Sequence, residues 1–172
     1  MNTNIKEFEN IIRDIATNST VQEMKNYRQH CSVSCYEHCR NVAFYSYFIC
    51  KKLGLDYISA SRAAMLHDLF LYDWRIKIDG RKGLHAFRHP RIALNNSLNL
   101  FDLNDKEKDI ILKHMWPCTI VPPKYTESYV ITFVDKYCAI KESFDCFKDS
   151  FTFKKLYRYG YVFLSLLVFR IV

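Results

Sequence analysis

The sequence predicts an all-α fold, a compact single-domain helical bundle, on three observations. Apolar residues recur at helical spacing along most of the chain. Two helix starts carry capping boxes, Ser34 with Glu37 and Asn104 with Glu107. No stretch alternates apolar and polar residues cleanly enough to require a sheet. At 172 residues, 49% of them hydrophobic and only four each Gly and Pro, the chain is large enough to fold around one core without disulfides or structural metals. A metal in such a chain is expected to serve chemistry.

Taken in order, Ile5, Phe8, Ile11, Ile12 and Ile15 mark an amphipathic first helix over residues 3–17. The next, 34–53, opens on the Ser34/Glu37 box and closes before Gly54, with His38, Val42, Tyr45 and Ile49 along its inner stripe. Asp56 caps a third, about 57–72, that carries the segment "SRAAMLHDLFLYDW", where His67 and Asp68 interrupt a core-like run. The segment "DGRKG", 79–83, reads as a turn, and Pro90 suits the first turn of a further helix, placing His89 at or beside its start. A helix over about 105–115 carries His114 near its end, and one over about 127–142 carries Asp135 on its Ile131/Asp135/Cys138 stripe. The closing "YVFLSLLVFRIV" has 12 residues and contains Arg170, where a membrane span needs about 20 apolar residues. A helix over about 153–172, docked on the core or used in a homodimer contact, is the expectation there.

The charge of +7 and pI near 9 favour anionic partners, but the basic residues are dispersed. Small phosphates and nucleotides fit this balance as well as nucleic acid does, and no helix-turn-helix, zinc-finger or aromatic RNA-binding signature is present. Seven cysteines, an odd number, in a chain with no signal peptide at its start lead us to expect reduced thiols and a cytoplasmic protein. Cys31, Cys35 and Cys39 share a helical face; packing of thiols is the expected reading, since zinc sites draw cysteine pairs from tight turns.

His38, the His67/Asp68 pair and Asp135 are metal-capable groups on otherwise apolar helix faces. A single inward histidine is ordinarily a hydrogen-bonded core residue. Several inward imidazoles and carboxylates from separate helices each need a partner, and together they can satisfy one another around a cation. The ordered set, in the contexts "YEHCRNVA", "AAMLHDLF" and "VITFVDKYCAI", resembles the HD superfamily of metal-dependent phosphohydrolases over about residues 34–140. The resemblance implies an HD-type helical domain in which His38, His67, Asp68 and Asp135 bind one divalent ion. "FRHPRIAL" and "IILKHMWP" look like the extra histidines of the binuclear branch, which would make His89 and His114 ligands of a second ion with Asp68 bridging.

What the resemblance implies for function is hydrolysis of a phosphoester or phosphoanhydride of a nucleotide or other small phosphate compound, with turnover dependent on Asp68. Imidazole and carboxylate ligands suit one or two ions of Fe, Mn, Co, Ni, Zn or Mg. Diadenosine polyphosphate hydrolases are one family candidate with similar histidine spacing. Relatives acting on cyclic dinucleotides follow His-Asp with Ile-Gly-Lys, whereas Phe70 and Leu71 stand here in place of Gly and Lys. Arg75, Lys77, Arg81, Lys82, Arg88 and Arg91 are candidate phosphate contacts, with Arg88 and Arg91 nearest the histidines and solvated surface charge the default for each. His85 is a candidate substrate contact, an alternative ligand or a surface histidine, and His30, which precedes the capping box, reads as a surface or loop residue. Trp74 and Trp116 are candidates for stacking a base or for packing the core. A regulatory module that binds metal and nucleotide but turns over little is the alternative function.

Overall fold

The computed structural model describes residues 2–76 and 84–149. Helices dominate it: α1 (Asn2–Ala16), α2 (Ser19–Gln22), a 3-10 turn (Glu23–Asn26), α3 (Cys35–Lys52), α4 (Tyr57–Leu66), α5 (His85–Leu98), α6 (Asp105–Lys113) and α7 (Thr126–Asp149). The mostly helical fold expected from periodicity and capping is thus observed. Between the 3-10 turn and α3 lies the exception, an antiparallel pair of short strands, β1 (Arg28–His30) and β2 (Val33–Ser34), that pairs Arg28 with Ser34 and His30 with Val33. Strands of three and two residues are too short to show an alternation.

α3 sits at the centre, packed against α4 and α7, while α4 also meets α1 and α6. Phe8, Ile12 and Ile15 of α1 are fully buried, as are Val42 and Tyr47 of α3, Met65 and Leu66 of α4, Ile110 and Ile111 of α6, and Ile131 of α7. Each such side chain removed from water stabilises the fold by about 1.5–3 kcal/mol before chain entropy is subtracted. Outside this core, Arg62 of α4 donates to both oxygens of Asp14 of α1 at 2.7 and 2.9 Å, a bidentate tie between the two helices.

Helix ends decide where the polar side chains fall. Ser34 Oγ accepts from the Glu37 N–H at 3.2 Å while the Glu37 carboxylate accepts from the Ser34 N–H at 2.9 Å, the reciprocal box that the sequence predicts for α3. At the other end, Gly54 has φ +68°, with Leu55 N–H on the Cys50 carbonyl and Gly54 N–H on that of Lys51. This pairing is a Schellman closure and needs the left-handed residue at position 54.

Three boundaries depart from expectation, and the first two set the direction of site residues. α4 stops at Leu66 rather than continuing to 72, because His67 Nδ1 donates to the Ala64 carbonyl at 2.7 Å and competes for the acceptor that the next helical N–H would use. Leu69 and Phe70 N–H then turn back to the Leu66 and Asp68 carbonyls. α5 begins at His85, five residues before Pro90, which lies inside the helix with no N–H to offer the Ala86 carbonyl. His89 is consequently a second-turn residue. α7 also runs beyond 142, to Asp149.

The expectation of reduced thiols is corrected at one pair. Cys31, at φ +49° in the hairpin turn, is disulfide-bonded to Cys146 near the end of α7, with Cα atoms 6.1 Å apart. Cys35, Cys39, Cys50 and Cys138 are free and buried, as thiol packing predicts, and Cys118 is free and exposed. Among the described residues, no helix is long and apolar enough to cross a membrane. The segments expected to form the 79–83 turn and the 153–172 helix lie outside the described residues, as do Lys77, Arg81 and Lys82.

Candidate metal centre

Five helices converge at one end of the bundle and bring the six predicted ligands together. His38 projects from the buried face of α3. His67 and Asp68 leave the end of α4, His89 comes from the second turn of α5, His114 follows the last residue of α6, and Asp135 comes from α7. All but Asp135 are buried. The start of α7 is fixed on α6 by Asp109, whose carboxylate accepts the Lys124 N–H at 2.9 Å and the Ser128 hydroxyl at 2.7 Å, and this holds Asp135 opposite His38.

The imidazoles face the cluster with the same nitrogen. His67 Nδ1 donates to Ala64 O at 2.7 Å, His89 Nδ1 to His85 O at 3.0 Å, and His114 Nδ1 to Ile111 O at 2.9 Å. A carbonyl only accepts, so each Nδ1 carries hydrogen and each Nε2 is left as the inward-facing atom. His89 Nε2 and His114 Nε2 are 2.8 Å apart, and they lie 3.2 and 3.6 Å from Asp68 Oδ1. Two facing lone pairs at that separation repel unless a proton or a cation lies with them. His67 Nε2 and Asp68 Oδ1 are both buried without a hydrogen-bond partner, although His67 Nε2 lies 3.5 Å from Asp68 Oδ2 and 3.6 Å from Asp135 Oδ1.

His38 differs from the other three. Its ring is held between two carboxylates, with Nε2 3.0 Å from Asp135 Oδ1 and Nδ1 2.9 Å from Glu142 Oε2. Burial opposes a charge on this ring, but Asp135 and Glu142 outweigh it and hold the His38 pKa well above the ordinary histidine value. Burial likewise opposes charge on His67, and Cys39, Asp68 and Asp135 raise it nonetheless. His114, buried and beside His67, is pushed down to about 3 and is neutral near pH 7. Burial acts to raise the Asp68 carboxyl, yet His67, His89 and His114 hold it far below the usual carboxylate range.

This donor set fits a divalent cation. Four groupings of three donors, His38/His67/Asp68, Asp68/His89/His114, His67/His114/Asp135 and His30/His38/Glu142, each have their ligand atoms within 4.8 Å of one another and can hold a metal ion. The Glu142–His38 contact is the carboxylate-to-histidine support that often orients a metal-binding imidazole. Soft thiolate ligands are not part of these groupings, which suits borderline and hard ions.

A cleft of about 530 Å³ opens onto the cluster, lined by Asp68, His89, His114 and Asp135 together with Gln29, His30, Trp74, His85, Met115 and Lys136, among others. His85, whose sequence reading left three roles open, is in this cleft: it hydrogen-bonds the Tyr72 hydroxyl at 3.1 Å and stacks on His89. Arg88 and Arg91 are not among its lining. They line a separate surface depression with Phe87, Ile92 and Asn95, on another face of α5 from His85 and His89. Arg75, a further candidate phosphate contact, pairs with Asp73 at 2.6 Å. Among the described residues, Lys136 is the lysine or arginine that lines the cleft, and its ammonium donates to the His114 and Thr132 carbonyls at 3.1 and 3.2 Å.

Four residues at the site escaped sequence reasoning in this role. Glu142 had a signal, since it stands seven residues beyond Asp135 on the stripe through Cys138. Lys136 follows a predicted ligand, but its direction is set by the carbonyls it meets. Gln29 and His30 had none: they depend on the short hairpin, which puts Gln29 Nε2 2.5 Å from Asp68 Oδ2 and the His30 ring 5.2 Å from that of His38. Comparison of the chain with protein-family models, with curated proteins and with solved structures finds no match.

Proposed function

We propose that this protein is a metal-dependent phosphohydrolase of the HD type, acting on a phosphoester or phosphoanhydride of a nucleotide or other small phosphate compound. The observation that carries the reading is the convergence, from five helices, of His38, His67, Asp68, His89, His114 and Asp135, six ligand-type side chains of which Asp68, His89, His114 and Asp135 line an open cleft. Asp68 stands between two sets of histidines and is the natural shared ligand for one or two ions of Fe, Mn, Co, Ni, Zn or Mg. When bound, such ions supply an acidified water as nucleophile and positive charge for the phosphate oxygens.

The chain's own groups do the rest. Gln29 donates to Asp68 Oδ2 and fixes the carboxylate plane. The Nδ1 bonds to backbone carbonyls lock three ring orientations before any ligand arrives, so little reorganisation is needed. Lys136 brings a cationic group to the cleft wall within reach of a bound phosphate. Elemental analysis of the purified protein, followed by a screen of mono-, di- and cyclic nucleotides with added Mn(II), tests the proposal. Bound transition metal with phosphate release from at least one class is the expected result. Metal without turnover on any phosphate overturns the hydrolase and leaves the regulatory binding module.

A further inference from the structure

Beyond the metal cluster, three rings form a ladder out of it. His89 stacks on His85 with centroids 4.6 Å apart and planes at 22°, and His85 stacks on Trp74 at 5.5 Å and 18°. His85 is braced from the side by the Phe70 ring, at 4.7 Å, and by its bond to the Tyr72 hydroxyl. Trp74 ends the ladder with 38% of its surface exposed, and it lines the same cleft as the ligands. Leu84, Ala86, Met115 and Ala139 complete an apolar wall. The polar lining groups Gln29 and His30 stay at the metal end, where they meet Asp68 and His38.

This layout separates two tasks. On the phosphohydrolase reading the cluster handles phosphate, and among the described residues the wall offers a flat π surface flanked mainly by apolar side chains. A large, exposed indole held parallel to a fixed imidazole is poorly explained as core packing. Trp116, the other tryptophan, shows the contrast: it meets Tyr129 edge-on at 5.5 Å and is not part of the cleft lining.

Resting on the phosphohydrolase reading, we infer that Trp74 is the base-binding residue of the cleft, and that the substrate is a phosphate compound carrying a nucleobase recognised by stacking rather than by its hydrogen-bonding edge. Every base has a π face, so stacking gives affinity while tolerating different bases. A pocket that reads an edge, by contrast, can reject the wrong partner by about 10⁴ or more, because its buried polar groups are left unpaired.

The test uses the full chain with Trp116→Phe, which leaves Trp74 as the single indole, and follows its fluorescence during titration with adenosine, guanosine and cytidine monophosphates and with glycerol phosphate. Nucleotides are expected to quench Trp74 and to bind about tenfold or more tighter than glycerol phosphate, with the adenine and guanine forms within about tenfold of each other. In the natural-sequence background, Trp74→Ala should weaken nucleotide binding by about tenfold, Trp74→Phe should restore most of it, and glycerol phosphate affinity should not move. Absence of quenching, equal affinity for glycerol phosphate, or discrimination of about 10³ between adenine and guanine overturns the inference. These readouts need no turnover. Selective nucleotide binding in a protein that hydrolyses no phosphate would sink the hydrolase reading and leave this one standing.

Discussion

The two ends of the cluster are built from the same residue types and solve opposite problems. At one end, the ring of His38 lies between Asp135 and Glu142 and both nitrogens are engaged by protein groups. At the other, His89 and His114 turn their Nε2 atoms toward each other at 2.8 Å, with their Nδ1 hydrogens committed elsewhere. The first end is satisfied by a proton on one ring held between two carboxylates; the second sets two imidazole nitrogens against each other and needs a shared proton or a metal. Residue identity alone does not distinguish a buried ion pair from a metal site. The partner on the far nitrogen does.

The largest effect should come from the residue common to both ends. Asp68→Ala removes the carboxylate that faces His67, His89 and His114, and we expect metal content to fall and kcat to drop by on the order of 10³. Helicity by circular dichroism should persist, because Asp68 lies beyond the end of α4. Full activity in this variant would overturn the mechanism.

Stability of the metal-free protein separates the two ends directly. His38→Ala leaves Asp135 and Glu142 facing each other without their shared partner, which should cost about 3–5 kcal/mol in urea unfolding after chelation. His114→Ala removes one of two opposed lone pairs and should cost far less, roughly what a lost buried side chain of its size costs and no more than about 2 kcal/mol. With metal restored the order should reverse in occupancy, His114→Ala losing one ion while its fold persists. Equal destabilisation by the two variants would remove the distinction.

Proton linkage offers a third cut. His38 and His67 have raised pKa values in the metal-free state, whereas a metal-binding imidazole must give up its proton. Binding of Mn(II) near pH 7 should release protons, seen as a dependence of calorimetric heat on buffer ionisation enthalpy, and affinity should climb as pH rises. The sign for folding is opposite. A raised histidine stabilises the metal-free protein below its unfolded pKa, and that stability is lost as pH rises through the folded value. Glu142→Gln, which weakens the support of His38, should lower metal affinity by about 10- to 100-fold and reduce the proton release.

How much of this was legible in the sequence follows from what each feature depends on. Helix α3 was readable to within a residue because its cap and closing glycine are local signals, but its inner stripe was only half right: His38 and Val42 are buried, whereas Tyr45 and Ile49 are exposed, since the buried face continues through Cys39, Ala43, Ser46 and Cys50. Four ligand candidates, His38, His67, Asp68 and Asp135, were nameable since each breaks an apolar pattern, whereas His89 and His114 were named only through the resemblance of their contexts to the binuclear HD branch. The end of α4 was not, because Leu69, Phe70 and Leu71 continue the apolar run; only the His67 bond to Ala64 turns the chain. Pro90 misled about α5, since proline marks first turns often but is tolerated deeper when a carbonyl can do without its partner. Gln29, the Cys31–Cys146 bond and the hairpin depend on contacts across the whole chain, and no local spacing encodes them.

The smallest effect is expected where sequence proximity pointed most directly. Arg88 and Arg91 flank His89, which made them candidate phosphate ligands, but helical geometry places neighbours one and two positions apart on different faces. His85 and His89, four apart, share the cleft side, while Arg88 and Arg91 line the depression with Phe87 and Asn95. Arg88→Ala and Arg91→Ala should therefore change KM for a phosphate substrate by less than about twofold, within the range of surface substitutions. Lys136→Ala should raise KM by about tenfold, the effect of losing one charge-assisted contact to phosphate. A tenfold rise from either arginine variant with no change from Lys136→Ala would move the phosphate to the other side of α5 and take the cleft out of the reaction.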